Sequence, residues 1–501
     1  INAGTGAISL GSTVGNTTAL TSLATTSTHA SGTTISGNIT TTGTQTYTGA
    51  LTLAGTGATR TLQGTTVTTS STIAGGANAL TITGNAVFGG AITAITNLGV
   101  SGTTSISGNI TTTGTQTYTG AVTLGAAVAL ATTNSAISFS STVNSDSSTP
   151  RNLTANVGSS NITFTGAVGG AQGLGNISLT STGNTTFSST VVASSVVQNS
   201  STGTTAINGG SITTTGVQTY GNAVTLGATT TLESSASGNI TFSSTVNGAQ
   251  ALTVNTSGAT VFSGIVGGTT NLTSITTDAG GTVSFGNNIT TTGAQTYNDA
   301  ATLTAATTLS ASSITTGSTL AASTFALTLT TDAVALGGNV SGSGALVIQP
   351  KTATTTIGLG TSASGSLHLS DTELGYLQDG FSSITLGSTS GTGAIAYTTA
   401  TNYTFNDPLT IRSSSGTITA TSALNTSANS LTITSGGAVT LAAITSGTLA
   451  VTGTGITLNG DITTSGTQTY TGAVTLGASI TAASTGASSS GNNISFTSTV
   501  N

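Results

Sequence analysis

Few side chains in this sequence could carry out chemistry. There are ten Asp or Glu, two His and many hydroxyls, against four Lys or Arg and no Cys, Met or Trp. Hydrolysis of a glycosidic bond needs two carboxylates facing it. The acids here stand singly at Asp146, Glu233, Asp278, Asp299, Asp332, Asp407 and Asp461, and only Asp371, Glu373 and Asp379 are grouped. His29 and His368 are far apart and lack an evident orienting carboxylate. Serine is plentiful, but no Gly-x-Ser-x-Gly elbow occurs with an identifiable His and Asp. The sequence therefore assigns no catalytic residue and no cofactor-binding residue. With no Cys there is no disulfide, no thiolate metal site and no thiol nucleophile. Asp is too sparse for the Gly-Gly-x-Gly-x-Asp ladder of calcium-loaded solenoids.

The acidic group has a structural explanation beside a chemical one. Ser370-Asp-Thr-Glu373 is a capping-box pattern, Leu374 and Leu377 follow at helical spacing, and Asp379-Gly380 supplies a stop. These residues predict a short helix over 371–378, lying with Leu374, Tyr376 and Leu377 inward. Asp371 and Glu373 then serve the positive end of the helix dipole. The sharper alternative is a calcium or partner site made by Asp371, Glu373 and Asp379. The surrounding segment, 344–412, holds two of the three Pro and six of the 14 charged residues.

Elsewhere the chain is built from one recurring unit. Its second copy runs Ile106-Ser-Gly-Asn-Ile-Thr-Thr-Thr-Gly-Thr-Gln-Thr-Tyr118-Thr-Gly-Ala-Val-Thr-Leu124. The Gln-Thr-Tyr tripeptide recurs at Gln45 and Tyr47, Gln116 and Tyr118, Gln218 and Tyr220, Gln295 and Tyr297, and Gln468 and Tyr470. The steps from one of these tyrosines to the next are very uneven. A second unit, Ile-x-Phe-x-Ser-x-Val, keeps a steadier lag: Phe139 follows Tyr118, Phe242 follows Tyr220 and Phe496 follows Tyr470 at nearly the same spacing. Within a unit the pattern has period 2, and Gly, Asn and Ser punctuate short runs of Thr, Val, Ile, Tyr and Phe. Those are strand-and-turn signals. This lag, roughly 20–26 residues holding several short strands, is what one coil of a parallel β-helix requires. At roughly 21 residues per coil the chain would form about 24 coils, a rod of about 115 Å at strand spacing. Tandem antiparallel β-sandwich modules of about 80–100 residues are the alternative. The shared parity of Gln and Tyr puts both inside, the amide satisfying backbone at a coil corner and the ring filling volume; aromatic stacking on glycans is the competing reading.

Composition bounds the function. Fourteen charged residues in 501 exclude an ordinary soluble domain, which is about one quarter charged. Four cations cannot make the basic face that nucleic acid requires. No uninterrupted apolar run is long enough for a helical membrane span, so none is expected. Thr-x-Thr pairs invite an ice-binding reading, but they recur several coils apart. The sequons at Asn38, Asn109, Asn161, Asn239 and Asn493 carry little weight where Ser and Thr are so common. A surface of hydroxyls and amides offers little electrostatic resistance to self-association. The first and last strands carry no polar cap, so the coils are expected to continue, in a longer chain or by stacking on a copy.

The unit Gly108–Leu124, and the stretch Leu367–Leu386 around the capping box, resemble the repeats of filamentous-haemagglutinin-like bacterial exoproteins. The resemblance covers nearly the whole chain and implies a right-handed parallel β-helix, export, and a role in adhesion or surface filaments. The fold expected is thus all-β, one solenoid with repeats over 1–343, a charged helix-containing insertion over 344–412, and repeats over 413–501. The expected function is that of a non-enzymatic, extracellular structural protein of the bacterial cell surface. Its partners would be itself, end to end or laterally, and cell-surface glycans or other cells. A surface-layer or biofilm-matrix protein is the alternative, with a polysaccharide-active β-helix enzyme and an ice-binding solenoid behind it.

Overall fold

In extended backbone, successive side chains point to opposite faces. The strands Ile110–Thr112, Gln116–Tyr118 and Val122–Leu124 bury their first and last residues and turn the middle one outward. A computed structural model describes residues 1–147, 149–400, 403–486 and 492–501. It is all-β, a parallel β-solenoid of about 24 turns consistent with right-handed winding. The described residues include one short α-helix, and none long and apolar enough to cross a membrane. The chain divides into two compact units, Ile1–Gln250 with Val254–Gly258, and Ala251–Thr253 with Ala259–Asn501.

In the first unit each strand pairs in parallel with the strand one coil on. Gln116 and Tyr118 pair with Ile137 and Phe139, which pair with Ile162 and Phe164, which pair with Thr185 and Phe187. The sequence lag is therefore the register itself, and antiparallel sandwich modules are ruled out. One consequence is a column of rings inside: Tyr118 on Phe139 at 5.2 Å, Phe139 on Phe164 at 4.9 Å, and Phe164 on Phe187 at 5.3 Å, all near parallel. Aliphatic columns run beside it, such as Ile110, Leu130, Ala155 and Leu179. Burying each Ile or Leu contributes about 1.5–3 kcal/mol, and no coil can do so without its neighbours. Some strands are longer than the pattern suggests. Ile73–Phe88 runs 16 residues because it keeps pairing through its corners. Gly84 makes one corner at φ +125°, where a Cβ would also collide with the carbonyl of Gly64.

Corners are where paired backbones diverge, and there Asn takes over. The Oδ1 of Asn97 accepts from Thr115 N at 2.8 Å, Asn109 from Ala129 N at 2.8 Å, and Asn161 from Asn184 N at 2.8 Å. Each is a side-chain rung between successive coils.

The second unit is built alike. Leu327 and Leu329 pair with Leu346 and Ile348, and Ile348 with Leu386, Ile411, Ile433, Val451 and Tyr470 in turn. Asn288, Asp332 and Asp461 supply its corner rungs, accepting from Thr308 N at 2.8 Å, Thr352 N at 2.7 Å and Thr481 N at 2.7 Å. The helix Asp371–Tyr376 interrupts this unit, packing on the strands Val334–Leu336 and Leu367–Leu369. It ends at Tyr376 rather than 378, because Leu377 is already extended and bridges Val340. Leu374 and Leu377 are buried as expected, but Tyr376 is only half-buried.

Candidate functional site

The recurrent Gln-Thr-Tyr unit is the most chemically distinctive feature of the interior. Gln45, Gln116, Gln218, Gln295 and Gln468 are all 0 % exposed, as are their tyrosines. A carboxamide in such surroundings must be fully hydrogen-bonded. Nε2 donates to the carbonyl six residues earlier in four of the five, at Ile39, Ile110, Ile212 and Ile289. In all five it donates to a carbonyl of the next coil, at Gln63, Ala131, Glu233, Ser310 and Ala483, over 2.7–3.0 Å. Oε1 accepts from the hydroxyl of the Tyr two residues on, over 2.8–3.1 Å. A threonine completes the cluster. Thr112 donates to Gly114 O at 2.6 Å, and its oxygen faces Gln116 Nε2 at 3.4 Å. The same arrangement recurs at Thr41, Thr214 and Thr464. The Thr-x-Gly-x-Gln-x-Tyr spacing is thus a buried corner lock. Burial pushes the phenols of Tyr47, Tyr118, Tyr220, Tyr297 and Tyr470 well above their ordinary range, so they remain donors. Their rings are unavailable to stack on a glycan.

Phe139 and Phe242 are buried and lie flat against Tyr118 and Tyr220. Phe496 departs from the inward set. It stacks on Tyr470 at 4.9 Å but is 38 % exposed, since it belongs to the last coil of this sequence and is covered on one side.

The grouped acids do not converge. Both oxygens of Glu373 are occupied: Oε2 accepts from Ser370 N at 2.9 Å and Ser370 Oγ at 2.7 Å, and Oε1 from Leu336 N at 2.9 Å. The helix lies where the next strand over Val334–Leu336 would run, and the Glu373 carboxylate replaces that strand's carbonyl. Asp371 accepts from Thr361 N and Ala400 N. Asp379 is exposed and neighbours Asp407. Among the described residues no three His, Asp or Glu side chains gather as metal ligands, and Asp371, Glu373 and Asp379 are not brought together as one cluster. His368 Nε2 lies 2.9 Å from Gly360 O, and His29 Nδ1 accepts from Ser31 N at 3.1 Å.

Asp299, Asp407 and Asp332 are anchors too. Burial raises the Asp299 carboxyl against the N–H of Gly281, and nearby Asp278 raises it further. Burial likewise raises Asp407, opposed by the N–H groups of Gly380 and Phe381. For Asp332 burial acts upward but is outweighed by bonds from Thr352 and Thr355, which hold it below the usual range. Outside, the coils carry shallow grooves lined by hydroxyls. One of about 420 Å³ is lined by Thr356, Ser364, Thr398 and Thr421 among others. Another, of about 610 Å³, contains Arg412.

No protein-family model, curated protein or solved structure matches this chain.

Proposed function

We propose that this chain is a non-enzymatic, extracellular structural protein that builds a bacterial surface filament or the stalk of an adhesin. The observation that carries the reading is the corner lock: one buried Gln–Tyr pair, rebuilt in five coils and joined by a threonine in four of them, ties each to the next by hydrogen bonds along the winding axis. Polar groups that could serve chemistry are committed instead to joining coils. Such a ladder makes a stiff spacer, and its hydroxyl exterior, with 14 charges in 501 residues, favours contact with copies of itself and with cell surfaces.

Electron microscopy of native material tests this directly. Rods or one-dimensional filaments are expected; a two-dimensional lattice would replace the reading with a surface layer. Cleavage of a polysaccharide that disappears on replacing Asp371, Glu373 or Asp379 would overturn the non-enzymatic assignment.

A further inference from the structure

Three of the four cations in the chain are engaged by the protein. Arg151 pairs with Asp146 at 2.8 Å, Arg60 Nη2 donates to Ala54 O at 2.6 Å, and Lys351 Nζ donates to Thr291 O at 2.8 Å. Arg412 is different. Among the described residues its guanidinium has neither a carboxylate within ion-pair distance nor a hydrogen-bond partner; its Nε, like that of Arg60, is unbonded and shut off from solvent, so a ligand would be met by its two Nη groups. A half-buried guanidinium with no acceptor is costly unless something supplies one.

The register explains where it sits. Strands Ser383–Ser388, Leu409–Ser413, Leu431–Ser435 and Leu449–Leu458 stack in parallel, which aligns Gly387, Arg412, Thr434 and Thr452 in one row. Thr385, Thr410, Thr432 and Ala450 form the row beside it. Gly387 leaves Arg412 no side chain to pack on at that neighbour. The groove of about 610 Å³ follows these rows. Its inward serines are satisfied, Ser413 by the carbonyls of Gly391 and Gly393 and Ser435 by that of Gly416. The outward hydroxyls of Thr410, Thr432, Thr434 and Thr452 make no side-chain hydrogen bond among the described residues. In the smaller groove, by contrast, Thr398 and Thr421 bond each other at 2.7 Å.

We propose that the Arg412 groove binds an acidic polysaccharide, the guanidinium fork taking a sugar carboxylate and the threonine rows taking ring hydroxyls. The fork matches a planar carboxylate in two parallel hydrogen bonds. The hydroxyls recur at the strand spacing of about 4.8 Å and can donate or accept, which suits a polyol chain lying across the coils. A phosphate polymer would need several cations, and the groove has one. A peptide added as a strand would need a free sheet edge, whereas this is a sheet face. The site gives the proposed surface role a ligand class and rests on that reading only for its setting.

The test uses the full chain, with oligogalacturonide as the acidic probe and dextran as the neutral one, in titration calorimetry at low and high salt. Oligogalacturonide should bind, dextran should not, and salt should weaken the binding. Arg412→Gln should lower affinity about ten- to a hundredfold, the loss of one charge-assisted bidentate contact. Arg412→Lys should fall between, keeping charge without the fork. Equal binding of dextran, no binding of oligogalacturonide, or undiminished binding by a folded Arg412→Gln chain would overturn the proposal. The same variants are imaged for filaments: binding lost with filaments intact confirms a ligand site separate from assembly, while binding retained without filaments would sink the structural reading and leave the groove standing.

Discussion

Gln218 shows how narrowly the buried corner is specified. Its carboxamide donates to the carbonyls of Ile212 and Glu233 and accepts from Tyr220, and only a group with both functions in that geometry serves. Gln218→Leu is expected to cost about 1–3 kcal/mol for each polar group left unpaired. The loss would be read as faster amide exchange in the strands Ser211–Thr214 and Thr230–Ser234 than in distant coils. Tyr220→Phe removes one donor and should cost less than Gln218→Leu in the same measurement. Asp299 predicts a pH effect of definite sign. Its carboxyl is raised by burial, so the folded chain favours the protonated form. Its destabilising contribution is absent below the ordinary carboxylate range and grows as pH rises through the elevated value. Asp299→Asn should therefore raise the unfolding temperature at neutral pH, with the gain fading in acid; a gain that persisted below pH of about 3 would contradict this assignment.

At the level of elements, the helix Asp371–Tyr376 stands in for a strand, and Glu373 is what makes the substitution possible. Glu373→Ala should release the N–H groups of both Ser370 and Leu336, costing about 1–3 kcal/mol, and hydrogen exchange at Leu336 should accelerate. Unchanged protection at Leu336 would mean that the carboxylate is not holding that strand. In the ring column, Phe164→Ala should cost about 3–5 kcal/mol by opening a gap between Phe139 and Phe187. The coil period and the inward set were readable because a lag between Tyr118 and Phe139 is also a register, and because alternation survives in strands as short as Gln116–Tyr118. The capping box was readable because all its members are close neighbours in sequence. The partner of Glu373 was not: Leu336 is 37 residues away, and only the coil path brings them together. The Asn rungs were hidden for another reason. Asn is frequent beside Gly and Ser here, and nothing local distinguishes Asn97, which bridges to Thr115, from an Asn merely occupying a turn. Arg412 was grouped with the other charges of the insertion, since its isolation depends on a register with Gly387 and Thr434.

For the molecule as a whole, the scarcity of charge acquires a location. Most acids and cations hold the chain's own corners, as Asp332, Asp461, Lys351 and Arg60 do, which leaves long outward rows of Ser and Thr. In the self-association proposed above, Ser138→Lys with Thr186→Lys, at outward positions two coils apart, should suppress lateral contact in sedimentation measurements without altering the far-ultraviolet dichroism. Association unaffected by such charges would place the contact on another face. The ladder has a further consequence under load. Its hydrogen bonds point along the winding axis, so a pull along that axis opens them one coil at a time instead of shearing many together. Freeing a coil of about 22 residues pays out about 75 Å of slack. In the stalk role proposed above, such a ladder would yield to tension in small successive steps, letting a cell held by it ride out a sudden tug without losing its grip.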